Sequence, residues 1–160
     1  MIGDITLYSE GAFGYPGDDE YNVAASATLI NAGEPVAKGL GLAVVTPAAT
    51  NTPVVATDFY AGIAASTSTN TAGAAGTVRV TKFSNNVSFL IVPKVAATWD
   101  TQAEYDALVG DRVLLDLTTG SYTILATDGA TNGCVVMPLD IARYPGKVRF
   151  QFRNAVNYLS

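Results

Sequence analysis

The sequence predicts an all-β fold: a compact β-barrel or β-sandwich with one short helix and an extended N-terminal arm. Three observations carry that expectation. Val, Thr, Ile, Tyr and Phe gather in short runs bounded by Gly, Pro, Asn and Asp, the pattern of short strands joined by turns. Only one segment carries helix signals. Hydrophobic residues fill 49% of 160 positions while charged residues fill 14%, which suits one domain able to bury a core without disulfides or metal.

The strands are expected at 22–30, 40–46, 54–57, 60–65, 77–82, 87–92, 112–117, 122–126, 134–137 and 147–152. The last has the clearest pattern. Val148, Phe150 and Phe152 alternate with Lys147, Arg149, Gln151 and Arg153, so one face enters a core and the other is basic. In 76–82, Val78 and Val80 alternate in the same way with Thr77, Arg79 and Thr81. The helix is expected just after Trp99. Thr101-Gln-Ala-Glu104 reads as a capping box, Ala103, Tyr105, Ala107 and Leu108 follow, and Gly110 suits the stop. About two turns cannot stand alone, so the helix should plug one end of the β-structure, with Trp99 as a buried anchor.

Two stretches fall outside this core. Residues 1–21 place Tyr8, Phe13, Tyr15 and Tyr21 among glycines and Pro16, the composition of an extended arm whose rings need a surface. The β domain proper is then 22–160. Residues 64–76 are a low-complexity loop of Ala, Ser, Thr, Asn and Gly; its composition fits a flexible connector or a close-packing contact loop equally.

Little chemistry is attached to this scaffold. There is no histidine, the side chain most used for proton transfer near neutral pH and for metal ligation. The single cysteine, Cys134, lies in an apolar run and reads as a buried small hydrophobe in a reducing compartment. Asp18-Asp19-Glu20 lacks the ligand spacing of a calcium loop and reads as a solvated turn, so no metal and no cofactor are expected. A paired-carboxylate glycosidase site assembled from distant strands stays open as the only enzymatic alternative. No basic, apolar leader opens the chain and no run approaches the roughly 20 apolar residues that span a bilayer, so the protein is expected to be soluble and made in the cytoplasm, with no membrane partner.

Charge is informative in its distribution. Fourteen acids against nine bases give a net charge of −5, unsuited to coating nucleic acid. Asp4, Glu10, Asp18, Asp19, Glu20 and Glu34 all precede the first base, Lys38. Arg143, Lys147, Arg149 and Arg153 fall in a final segment that holds no acid. Such segregation fits either unrelated solvated charges or complementary surfaces that meet within one chain or between copies.

A family resemblance enters at Ile30-Asn-Ala-Gly-Glu-Pro-Val-Ala-Lys-Gly39. This turn-to-strand segment resembles the opening of the small capsid decoration (cement) proteins of tailed bacteriophages. The likeness continues at Phe59-Tyr-Ala-Gly-Ile-Ala64, at Gly76-Thr-Val-Arg-Val80 and at Gly110-Asp-Arg-Val-Leu-Leu-Asp-Leu-Thr-Thr-Gly120. It implies successive strands of a compact β-barrel in a non-enzymatic virion protein. That protein would sit on the outer capsid surface, commonly as a homotrimer, bind the major capsid protein and stabilise the mature head. Aromatic residues and Arg are enriched at interface hot spots, so Tyr8, Phe13 and Tyr15 are the expected anchors and Arg149 and Arg153 the expected charge partners. The alternative is a trimeric β-sandwich binding module, for carbohydrate or a receptor, on a viral fibre. Its stacking site would use Trp99 with Tyr105, the one candidate cluster.

Overall fold

A computed structural model of the chain describes residues 5–8, 17–39, 45–47, 58–82, 87–116, 122–127 and 133–152. Among these residues the architecture is two antiparallel sheets and one short helix, an all-β sandwich-like fold. The strands are β1 (Thr6–Leu7), β2 (Asp18–Val23), β3 (Pro35–Gly39), β4 (Val45–Pro47), β5 (Asp58–Ala64), β6 (Gly76–Lys82), β7 (Phe89–Ile91), β8 (Arg112–Asp116), β9 (Thr123–Leu125), β10 (Cys134–Val136) and β11 (Val148–Phe152). One sheet runs β1-β7-β11-β10-β8-β9 and the other β2-β6-β5-β3-β4.

The six-stranded sheet is built on the alternation in β11. Val148, Phe150 and Phe152 are fully buried, and Phe150 and Phe152 meet Phe89 of β7 at ring-centroid separations of 5.9 and 5.5 Å. Cys134, Val136, Val113, Leu115, Ile124 and Tyr122 complete the same cluster. The sheet curls strongly around it. Past β7, the Val92 carbonyl accepts from Ile124 N–H (3.1 Å) and Lys94 N–H donates to the Ile124 carbonyl (2.8 Å). Lys94 Nζ also lies 3.0 Å from Asp116 Oδ2 at the end of β8. A single parallel bridge between Pro93 and Ile124 therefore ties the chain just past β7, next to the β1 edge, to β9 at the opposite edge. One bridge is not a strand pair, and the barrel is not closed.

The five-stranded sheet buries Val23, Ile30, Val36, Ala61, Ala64, Val78 and Val80 in a second cluster. Ala37 of β3 and Ile63 of β5 belong to the larger cluster, so these two strands face both cores. A register shift between Val36 and Ala37 accompanies that double role, since an extra residue turns side chains to the other face. Opposite it, Gly62 has φ +150°, and a Cβ there would sit 1.9 Å from the Thr81 carbonyl oxygen. Only glycine permits so close an approach of β5 to β6.

The structure departs from the strand list in several places: β3 stands at Pro35–Gly39, where the residue pattern gave no strand, and the strand expected at 54–57 lies outside the described residues. Strand β2 begins at Asp18 and crosses the arm boundary expected at Tyr21, pairing with β6 from Asp18–Thr81 to Val23–Gly76. Thr6–Leu7, also inside the expected arm, pairs with β7. Parts of the arm are thus strands of the chain's own sheets. Beyond Val23, residues 24–30 leave the sheet and lie against the small-residue loop. Ser26 N–H donates to the Thr71 carbonyl, Ser68 N–H to the Ile30 carbonyl, and Ile30 N–H to Ser68 Oγ. Buried Asn70 donates from Nδ2 to the Ser26 and Thr28 carbonyls and accepts from Ser68 Oγ at 2.6 Å. Of the two readings left open by its composition, this loop takes the close-packing one.

Candidate functional site

The polar features of the larger sheet converge on the start of β11. Helix α1 (Gln102–Ala107) leads there, and its N-terminus is a full capping box. Thr101 Oγ1 accepts from Glu104 N–H while the Glu104 carboxylate accepts from Thr101 N–H. The Thr101 hydroxyl bonded to it holds the Glu104 carboxyl below its usual range, and Glu104 in turn raises the neighbouring Asp100. The cap fixes the roll of α1, so that Tyr105 points into the core while the rest of the helix stays exposed.

Tyr105 does more than fill space. The β10–β11 register, continued by one step, sets Met137 opposite Arg149, and Met137 N–H donates to the Arg149 carbonyl at 2.9 Å. The reciprocal bond is replaced. Arg149 N–H donates to Tyr105 Oη at 2.9 Å, and Tyr105 Oη donates to the Met137 carbonyl at 2.9 Å. The phenol is inserted into the ladder as a bridging group. Burial pushes its pKa up to about 12, against the opposing pull of the Arg149 backbone bond.

The Arg149 side chain is fixed on the other face of the sheet. Its Nε donates to Ser88 Oγ (2.8 Å), one Nη donates to the Pro138 carbonyl (3.1 Å), and its guanidinium lies 4.1 Å from the Tyr8 ring centroid. Tyr8 is held there by its own N–H, which donates to the Ser88 carbonyl. The Tyr144 ring meets Tyr8 edge-on at 5.5 Å, and the Arg143 guanidinium lies 5.7 Å from the Tyr144 ring. Arg143, Tyr144, Tyr8 and Arg149 thus form a run in which a cation lies at each end of a pair of rings, half-buried apart from the exposed Arg143. Each cation–ring contact contributes about 0.5–1 kcal/mol at such exposure. Fixed guanidinium donors beside aromatic faces suit non-covalent capture of a carboxylate-bearing surface.

Of the residues expected to make contacts, Tyr8 and Arg149 are brought together in this cluster. Phe13, Tyr15 and Arg153 lie outside the described residues. Tyr144, Arg143 and the ladder role of Tyr105 were not anticipated. Arg143 and Tyr144 sit in a turn that follows Asp140, and nothing in their spacing points to Tyr8 more than 130 positions earlier.

The remaining candidate features are structural. Trp99 is buried and meets Tyr105 edge-on at 5.7 Å, so neither ring offers a stacking platform. Cys134 is buried. Burial raises the pKa of Tyr122, with the Glu34 charge adding to the effect. Asp18 pairs with Arg79 and accepts from Thr81 Oγ1. Among the described residues no group of three or more His, Cys, Asp or Glu side chains could hold a metal ion. No helix there is long and apolar enough to cross a membrane. Comparison with protein-family models, curated proteins and solved structures finds no match.

Proposed function

We propose that this chain is a capsid decoration protein that binds the outer surface of the major capsid lattice of a tailed bacteriophage and stabilises the mature head. The observation that carries the reading is where the four resembling segments fall in the fold. Gly33 (φ +86°) turns the chain into β3, with the buried Glu34 carboxylate accepting from Asn31 N–H to fix the turn. The second segment lies in β5 and the third opens β6. Gly110 (φ +94°) turns the chain into β8, the first strand of the β8–β9 hairpin. Gly33, Gly62, Gly76 and Gly110 of these segments stand where a turn or a close approach needs a glycine.

The mechanism is adhesion. A standard interface buries about 1,600 Å². A homotrimer carrying several such contacts binds with high effective concentration once one is engaged. A protein that binds only the expanded lattice stabilises that lattice by linkage and raises the temperature at which packed DNA escapes. The acidic chain suits an outer face better than contact with DNA. The test compares thermal DNA release from virions with and without this protein. A higher release temperature with it is expected; equal temperatures would remove the stabilising role.

A further inference from the structure

Residues 92–98 run as a strap from the end of β7 towards α1. The strap hangs between two buried anchors, Ile91 and Trp99, both in the larger core. Its middle is exposed at Lys94, Val95, Ala96 and Ala97, and the 3-10 turn Ala96–Thr98 buries none of its residues. Among the described residues the ladder between strap and β9 is one bridge long, made by the two backbone bonds to Ile124. From the same point Lys94 reaches the buried carboxylate of Asp116 on β8. The ground beneath is not fully satisfied. Asp116 and Thr123 stand opposite each other in the β8–β9 register, so their side chains share one face of the hairpin. Thr123 Oγ1 is buried there and has no hydrogen-bond partner among the described residues. Water satisfies such a hydroxyl once it is uncovered, so its burial weighs against the closed arrangement.

We infer that residues 92–98 are a strap that releases from β9 as a local unit while the rest of the sheet stays folded, with the Lys94–Asp116 pair as its latch and the Thr123 hydroxyl biasing it towards release. Three observations carry this device. The anchors confine the motion, because Ile91 pairs with Val148 and Trp99 packs on Tyr105. Release exposes little new apolar surface, since the body of the strap already faces solvent and Pro93 is its buried residue. The latch is a charge pair whose acid is buried, so it holds only while Lys94 is in place. Closed, the strap covers the backbone edge of β9, as natural sheets cover their edges. Released, it uncovers the N–H and carbonyl of Ile124. The device needs no capsid and stands or falls apart from the decoration role.

The test is amide hydrogen exchange of the purified full chain, read by NMR with urea held below the unfolding transition. The Ile124 and Lys94 amides should exchange at least about a hundredfold faster than those of β11, which is paired on both sides. Their rates should also depend little on urea, because a local opening exposes little surface. Thr123→Val keeps the shape and removes the orphan hydroxyl, so exchange at both amides should slow about tenfold. Lys94→Met strands the Asp116 carboxylate and should quicken it about tenfold. Ile124 and Lys94 amides that share the rate and urea dependence of β11 overturn the inference. So does Thr123→Val with exchange unchanged or faster, and so does a folded Lys94→Met chain with exchange unchanged. Thr123→Val buries no new polar group, so it decides the matter even where Lys94→Met fails to fold.

Discussion

Replacing Tyr105 with Phe removes one oxygen and leaves the ring, so it isolates the bridging role of the phenol. Two bonds of 2.9 Å are lost, one from Arg149 N–H and one to the Met137 carbonyl. At about 1 kcal/mol net each, with a further cost for polar groups left unsatisfied in the interior, the loss could approach 3 kcal/mol. Local closure of β10 on β11 would let Arg149 N–H reach the Met137 carbonyl and recover part of it. The expected destabilisation is therefore about 1–3 kcal/mol by urea unfolding, or roughly 2–12 °C in melting temperature for a domain of this size.

A pH series sharpens that test. The folded-state pKa of Tyr105 is about 12 against an ordinary 10.0, so the folded state holds the phenolic proton more tightly. Its contribution is fully present below pH 10 and is lost as pH rises through about 12. A displacement of about two units corresponds to about 3 kcal/mol. The native chain should thus lose its advantage over Tyr105→Phe between pH 10 and 12, while the slope due to Tyr122 remains in both proteins. A variant within about 0.3 kcal/mol of the native chain at pH 7, or a constant gap up to pH 12, would refute the inserted-phenol account.

Three further substitutions probe the scaffold. Gly62→Ala places a methyl against the Thr81 carbonyl at a strained φ and should cost about 3 kcal/mol or more, or prevent folding, as read by denaturation and soluble yield. Asn70→Ala strips the bonds that pin the small-residue loop to residues 24–30, and should cost about 2–3 kcal/mol and raise amide exchange at Ser26 and Ile30. Thr101→Ala should cost about 1 kcal/mol through the lost cap. The lowered carboxyl of Glu104 makes the native cap's contribution present above the ordinary Glu range and lost as pH falls through its folded value, so the gap between Thr101→Ala and the native chain should narrow in acid.

Much of the fold was legible because local chemistry and burial agree. The alternation in β11 put Val148, Phe150 and Phe152 inside, and the capping box set the start of α1. The basic face of β11 was less readable: Gln151 on that face is buried and Arg149 is half-buried. Strand β3 is missing from the strands read from residue pattern, because Pro35-Val-Ala-Lys-Gly has one β-branched residue, and only the family resemblance put a turn-to-strand segment there; proline is tolerated as a first strand residue. Strand β2 opens with three acids, which have poor strand propensity, and reads as arm; edge strands accept such charges as guards. Residues 24–30 have strand-like composition, yet Ser68 and Asn70 bond them to a loop some 40 positions away. The candidate site was half legible. Tyr8 and Arg149 were expected as contacts on residue type alone, but their meeting depends on β1 and β11 flanking β7. Tyr144 and Arg143 carry no local signal for that cluster.

Mixing the purified chain with expanded and with unexpanded empty shells, followed by sedimentation and imaging of the particles, addresses adhesion to the mature lattice most directly. Saturable uptake by expanded shells, with new density on their outer face and none on unexpanded shells, is the predicted result. Density elsewhere on the particle, or no uptake by expanded shells, would contradict it.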